Sequence, residues 1–313
     1  MAEDYPATLM EFEARFATEE ACRDYLARLR WPQGFRCPRC QARRGWPRTR
    51  GLVECGGCGY QASPTAGTIF EGTRIPLRLW FRAMWLVTSP KSGVSALGVQ
   101  RQLGLKRYET VWTILHKLRR AMVRPGRDRL SGTVEVDETY VGGVEEGVRG
   151  RETYTQSLVA VAAEEDGNGV GRIRLTVVPD ASGPSLLGFV EQSVEPGSRV
   201  HTDDWKGYNG LAAKGYRHKV TNISRSGKLG HEVLPRVHRV ASLLKRWLLG
   251  THQGAVRPLH LDYYLDEFTF RFNRRTSRSR GKLFYRLVQQ ALEVPPVYWR
   301  DVATAARGHD HNS

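Results

Sequence analysis

The sequence predicts an α/β protein in several parts: a mixed sheet flanked by helices, preceded by a small four-cysteine ribbon and a helical region. Three observations predict this. Two CxxC pairs lie close together near the N-terminus, helical periodicity runs through residues 71–125, and after "RPGRDRLSG" the apolar residues recur with the period of strands. With 313 residues, 40% of them hydrophobic, the chain is long enough to build two or three small domains.

Residues 1–30 read as an N-terminal helical segment. In "EEACRDYLARLRW", Cys22 falls on an amphipathic face and is expected to be a buried small hydrophobe. Residues 31–70 form the ribbon. "CPRC" supplies Cys37 and Cys40, "CGGC" supplies Cys55 and Cys58, and the 14 residues between the pairs suffice for a hairpin that brings both knuckles to one ion. Gly56, Gly57 and Gly59 stand where a knuckle needs unusual backbone angles. A redox role is open to either pair alone, but two pairs at this spacing point to a closed structural zinc site.

Residues 71–125 read as short helices. Ser95 to Leu103 is one, "GLKRYE" makes a tight turn, and Thr110 to Met122 carries Val111, Ile114, Leu115 and Leu118 at helical spacing. The pair is helix-turn-helix-like, with a plain helical linker as the alternative. Lys106, Arg107, Lys117, Arg119 and Arg120 give it a basic face suited to phosphates.

The mixed sheet is assigned to residues 131–295, with a C-terminal tail over 296–313. "TVEVDETYVGG", "SLVAVAAEE" and "GRIRLTVVPD" alternate as strands, and "GPSLLGFVEQSV" turns helical. A strand at "SRVHTDD", a helix near "YNGLAAKG", a strand at "HKVTN" and a helix from residue 237 complete the series. Asp137 falls near the end of the first strand and Asp203 at the end of the fourth, so neighbouring strands would bring both to one sheet edge. Paired carboxylates there supply the hard oxygen ligands that Mg2+ or Mn2+ prefers in phosphoryl transfer. Taken singly, each aspartate has a commoner reading as a strand-end residue capping a turn.

In "VHRVASLLKRWLLG", His238 and Lys245 are seven positions apart, which at about 100° per residue returns to nearly the same azimuth. Val237, Val240, Leu244, Trp247 and Leu248 form an adjoining apolar stripe for docking on the sheet. Docked so, the helix presents His238 to the aspartates and Lys245 to a DNA backbone beyond. Of Asp203 and Asp204 only one reaches the site, because consecutive strand residues point to opposite faces. Trp205 and Tyr208 either stack on a splayed nucleotide or, the commoner fate, pack at the turn.

Charge points the same way. The balance of 48 Lys+Arg against 32 Asp+Glu, a formal +16, suits a polyanion binder. Basic membrane-surface or ribosome-associated proteins share such a balance. Arg271, Arg274, Arg275, Arg278, Arg280 and Lys282 in "RFNRRTSRSRGKLFYR" lack interleaved acids and read as phosphate contacts, while Phe268, Phe270 and Phe272 are expected to pack inward. The start "MAEDYPATLMEFEARF" has no signal-peptide pattern and no apolar run reaches membrane-spanning length, so the expectation is a cytoplasmic protein with no membrane partner.

Together these blocks resemble a bacterial insertion-sequence transposase of the kind with an N-terminal zinc ribbon and an RNase H-like DDE domain. The likeness rests on "CPRC" and "CGGC", "VEVDETYVGG", "HTDDWKGY" and "GTHQGAVRPLHLDYYLDEFTFRFNRR", and spans nearly the whole chain. It implies that Asp137 and Asp203 are the first two acids of the triad, selects Asp203 over Asp204, and makes Lys245 the basic residue following the third member. At that third place the sequence departs: His238 stands where the common pattern has Glu, a substitution similar to the non-acidic third residues of some related transposases. A neutral imidazole binds transition ions and serves as a base, although it is a poorer Mg2+ ligand than a carboxylate. The alternatives are a surface histidine in a defective copy, or Glu232 as a displaced third acid, disfavoured because it precedes "LPRV" outside the helix. The resemblance implies metal-dependent cleavage at transposon ends and strand transfer into target DNA. It also implies structural zinc, catalytic Mg or Mn, double-stranded terminal repeats and target DNA as partners, and a homo-oligomer on DNA. A structure-selective nuclease of the same fold and a catalytically inactive zinc-ribbon DNA-binding protein are the competing readings.

Overall fold

The change of hydrophobic period after residue 130 marks a boundary between two bodies of structure. The computed structural model describes residues 3–124, 126–143, 156–254, 256–299 and 302, so most of the expected 296–313 tail lies outside the described residues. One unit comprises residues 126–275, and the other joins residues 1–125 to residues 276–313. No described helix is long and apolar enough to cross a membrane.

In the N-terminal unit, Thr8 and Thr18 cap helices α1 (Leu9–Arg15) and α2 (Glu19–Arg30): their side chains accept the Glu11 and Ala21 amides. Cys22 on α2 is fully buried, as its position on the amphipathic face requires. An antiparallel ribbon follows, of β1 (Gly45–Pro47), β2 (Val53–Cys55) and β3 (Gln61–Ala62). Next come α3 (Leu77–Thr88), α4 (Ala96–Leu103) and α5 (Tyr108–Ala121). Ser95 caps α4 and Gly104 ends it in the left-handed region, φ 65°, which turns the chain tightly into α5. Val111, Ile114, Leu115 and Leu118 are all buried, as their spacing predicts.

The second unit is built on five strands, β4 (Thr133–Val141), β5 (Ser157–Asp166), β6 (Gly169–Val178), β7 (Arg199–Thr202) and β8 (Arg217–Val220), with α6 (Gly183–Ser193) between β6 and β7. Their order across the sheet is β6-β5-β4-β7-β8. β4, β5 and β6 pair antiparallel, whereas β7 runs parallel to both β4 and β8, giving the mixed, RNase H-like sheet. Short α7 (Ile223–Ser226) and α8 (Gly230–Val233) lead into α9 (Pro235–His252) and α10 (Leu261–Phe272). Alternation along the strands divides two cores. Val134, Val136, Leu158, Ala160 and Ala162 pack with α6, while Val159, Val161 and Ala163 pack with Val237, Val240, Leu244 and Leu248 of α9. Phe268, Phe270 and Phe272 are buried on α10, as expected.

Two expectations need correction. No α-helix forms near "YNGLAAKG": the chain makes a 3-10 turn at Lys206–Tyr208 followed by turns to Gly215. Gly207 explains part of this, because a Cβ there would lie 2.7 Å from the Ala181 carbonyl oxygen. The block expected over 131–295 is also too long. The last helix, α11 (Arg280–Glu293), belongs to the N-terminal unit. There Phe284 is fully buried, its ring centre 5.3 Å from that of Phe12, 5.7 Å from Phe81 and 6.0 Å from Trp85.

β6 is an edge strand, and α10 with the residues after it covers that edge. Asp262 accepts the Val177 amide at 3.2 Å, and the Arg275 guanidinium donates to the Val170 and Gly171 carbonyls. Asn273 imitates a strand partner: Oδ1 accepts the Ile173 amide at 2.8 Å and Nδ2 donates to the Ile173 carbonyl at 3.2 Å. Asn273→Ala should therefore destabilise the protein by about 1–3 kcal/mol, since the amide of the fully buried Ile173 loses its partner, while its carbonyl keeps the Arg174 guanidinium at 2.9 Å. Denaturant unfolding checks this, and unchanged stability would mean that water serves the edge equally well.

Candidate active site and zinc ribbon

The two cysteine knuckles are built alike. Cys37 donates its amide to the Ala42 carbonyl and accepts from Gln41, both at 2.9 Å; Cys55 does the same with Tyr60 and Gly59, again at 2.9 Å. The fourth residue after each first cysteine is left-handed, Gln41 at φ 64° and Gly59 at φ 68°. Gly59 is thus the one ribbon glycine of the expected three that needs its conformational freedom, and the first knuckle manages with a glutamine. All four Sγ atoms lie within 4.8 Å of one another. Cys37 and Cys58 are 3.8 Å apart and Cys40 and Cys55 are 3.4 Å apart, close to the roughly 3.8 Å edge of a tetrahedron with 2.3 Å Zn–S bonds. The donor set and spacing fit zinc.

The second site lies on the α9 side of the sheet. Val134 and Val136 of β4 face α6, so Glu135 and Asp137 between and beyond them face α9. Asp137 is in the middle of β4, not near its end; the β4–β7 pairing stops at Glu135↔His201, and Asp137 and Asp203 each lie two residues beyond that last pair. Both aspartates are half-buried, and Asp203 follows directly on the end of β7. Asp204 is exposed and accepts from Asn222, consistent with the opposite face. Asp137 Oδ1 accepts the Glu138 amide at 2.9 Å, and Asp203 Oδ1 accepts the Trp205 amide at 3.0 Å.

Docking of α9 brings the imidazole in. His238 Nε2 is 3.6 Å from Asp137 Oδ2, beyond a direct hydrogen bond. Burial holds His238 below the ordinary imidazole range; His231 and Lys245 add to this, and Glu135 opposes it. Gly230 makes room, since a Cβ there would be 3.0 Å from His238 Nε2. Glu232 is engaged elsewhere, its Oε2 accepting the Leu229 amide at 2.7 Å. Lys245 is exposed further along the helix. On the α6 side, Tyr208 is fully buried and donates to Glu138 Oε2 at 2.8 Å. Its hydroxyl is held protonated by burial first and then by Glu138, Asp137 and Asp203. Trp205 Nε1 donates to the Ala181 carbonyl at 2.7 Å, so both aromatics are packing residues. Among the described residues the four sulfurs are the one group of three or more potential ligands gathered closely enough to hold an ion, and Asp137, Asp203 and His238 do not form such a group in this structure.

Residues 129–273 match the ISXO2-like transposase domain, and residues 17–61 match the transposase zinc-ribbon domain. In both parts the chain is similar to insertion-sequence transposases. It is 27% identical over 286 residues to an uncharacterized protein in transposable element ISH50 of Halobacterium salinarum, covering 85% of this chain and 94% of that protein. An uncharacterized transposase-like protein of Haemophilus influenzae is 26% identical over 121 residues, which are 39% of this chain and 97% of that protein.

The expected basic face is only partly exposed. Lys106 and Arg107 are exposed at the α4–α5 turn, and Lys117 and Arg120 are half-buried. Arg119 is 2% exposed beside His116, so it cannot meet DNA in this conformation. Its position, four residues after Leu115 and three before Met122, already placed it on the apolar stripe. In the tail, Arg274 and Arg275 lie 4.0 Å and 4.1 Å over the rings of Phe270 and Phe272 and donate to backbone carbonyls, serving the fold. Lys282 does have an acid, Glu3, at 2.9 Å. Arg271 and Arg280 are half-buried and Arg278 is exposed. Sequence reasoning missed Glu135, Arg236 and Gly230; the signal for Glu135 was an acid at inward parity, two residues before Asp137.

For the ribbon, metal analysis of the purified protein should give one zinc per chain, and Cys37→Ser or Cys55→Ser should release it and unfold residues 31–70. A zinc-free protein with a folded ribbon would contradict the assignment.

Proposed function

We propose that this protein is a transposase that nicks DNA at the ends of its element and joins the freed 3'-hydroxyls to target DNA. Asp137, Asp203 and His238 are the residues that hold the divalent ions this chemistry needs. What supports the reading is that His238 of α9 lies 3.6 Å from Asp137, while Asp137 and Asp203 each follow the last β4–β7 pair, Glu135↔His201, by two residues. Mg2+ or Mn2+ bound there supplies an activated attacking oxygen and charge relief at the leaving oxygen. The aspartates bring the hard oxygens and the negative charge. His238, neutral because burial disfavours its charged form, binds as a nitrogen ligand or takes the proton of the attacking water or 3'-hydroxyl. Lys245 anchors a phosphate further along the same helix. The ribbon and the α4–α5 pair, with Lys106, Arg107, Lys117 and Arg120, hold the double-stranded terminal repeats. Arg271, Arg278 and Arg280 add phosphate contacts, and copies of the chain assemble on paired ends in the cytoplasm.

The test is nicking and joining of DNA carrying the element's own ends. Asp137→Asn and Asp203→Asn should abolish both steps and leave DNA binding intact, whereas Asp204→Asn should be mild. An inactive Asp204→Asn with an active Asp203→Asn would overturn the choice between them. Lys245→Ala should weaken DNA positioning, the more so as salt rises.

His238 makes a separate prediction. His238→Ala should be nearly inactive, and the native protein should work better with Mn2+ than with Mg2+, while His238→Glu should retain activity with Mg2+. The neutral imidazole is the working form and its pKa is lowered, so activity should persist below the ordinary midpoint of about 6.5 and fall only as pH drops through the lowered value. A pH–rate profile checks this; full activity in His238→Ala would remove His238 from the site.

A further inference from the structure

Helix α9 lacks a cap of its own. It begins Leu234-Pro235, Leu234 has no side chain able to accept a hydrogen bond, and the first free amides of the helix are those of Arg236 and Val237. Both are taken by one carboxylate from a strand about a hundred residues earlier. Glu135 Oε2 accepts the Arg236 amide at 2.7 Å and the Val237 amide at 3.1 Å, and Oε1 accepts from the Arg236 guanidinium at 2.8 Å. Glu135 is 2% exposed. Arg236 spreads its remaining donors over the β5–β6 turn, to Glu165 Oε1 at 2.7 Å, the Gly167 carbonyl at 2.8 Å and the Gly169 carbonyl at 3.0 Å.

The placement is what matters. Glu135 precedes Asp137 by two residues on the same face of β4, and Arg236 precedes His238 by two residues on α9. A negative group at a helix N-terminus also meets the positive end of the helix dipole, which fixes the helix end as well as its amides. The distance between the Asp137 carboxylate and the His238 imidazole is therefore set by where Glu135 holds the first turn of α9. Gly230, which leaves space for the imidazole, lies just upstream on α8.

We infer that Glu135 and Arg236 form a clasp that positions His238 against Asp137, making Glu135 a positioning residue of the active site and not one of its metal ligands. This rests on the proposed nicking site for its consequence, but the clasp itself is a property of the folded chain. Both carboxylate oxygens of Glu135 are already engaged by α9, which is why it is not counted with Asp137 and Asp203. Arg236 must be arginine for the same reason, since a lysine ammonium cannot reach one carboxylate and three further acceptors in a planar fork.

The experiment uses the full chain with Glu135→Gln and Arg236→Lys. Three quantities are read: Mn2+ binding by electron paramagnetic resonance without DNA, amide exchange at Arg236 and Val237, and nicking against Mn2+ concentration. We expect faster exchange at the two amides and Mn2+ affinity weakened by about tenfold or more, as for other groups that orient a metal ligand. We also expect the half-saturating Mn2+ for nicking to rise in step, with cooperative unfolding and DNA affinity kept. Unchanged Mn2+ affinity in a folded variant overturns the inference. So does a nicking rate that falls at every Mn2+ concentration with an unchanged half-saturation point, the pattern of a residue that only stabilises the fold. If Glu135→Gln does not fold, Arg236→Lys carries the test. If the native protein binds no Mn2+, the proposed function fails by that result, and amide exchange alone decides the clasp: slow native exchange that Arg236→Lys accelerates supports it, and no change overturns it.

Discussion

The parallel pairing of β4 with β7 is the constraint on which the candidate site depends. A single register, Thr133 to Glu135 against Arg199 to His201, sets the parity of the residues that follow it, Asp137 on one strand and Asp203 just beyond the other. A slip of one residue would turn Asp203 to the α6 core and Asp204 inward. What resists the slip is burial on both faces. Val134, Val136 and Val200 are fully buried on the α6 side, so the register that buries them is the register that presents Asp137 and Asp203 on the other. The site is thus a by-product of packing, set by valines that take no part in any chemistry.

The opposite face carries a heavier cost, because β4 buries a carboxylate there. Glu135 is tolerated since Arg236 and two helix amides satisfy it completely. Such a pair is expensive to break: removing one partner of a buried ion pair typically costs about 3–5 kcal/mol. The arrangement gives α9 a fixed end without any local cap, and its stripe of Val237, Val240, Leu244 and Leu248 fixes the rest by burial. Stability and site geometry are coupled through the same few contacts.

Much of this was legible in the sequence, for physical reasons that differ by element. The knuckles were legible because metal ligation imposes short, fixed spacings. The alternation of residues 133–141 marked β4 as a strand, although Asp137 falls in its middle and not near its end, and the helical period put His238 and Lys245 on one face. What stayed hidden depends on long-range contacts. Nothing local indicates that Phe284 fills the core of the N-terminal unit, that Lys282 pairs with Glu3, or that Glu135 caps α9. The burial of Arg119 was legible and overlooked: charge counted for more than its place on the apolar stripe. The helix near "YNGLAAKG" failed because its two glycines, Gly210 and Gly215, and close packing at the preceding Gly207 favour turns over a continuous helix.

The central claim is that Asp137, Asp203 and His238 form one divalent-metal site. Crystals grown with Mn2+ and measured for anomalous scattering at the manganese edge test it most directly. The account predicts a peak in contact with carboxylate oxygens of both aspartates and with the His238 imidazole. Manganese bound away from Asp137 and Asp203, in a protein competent to nick its own ends, would contradict it.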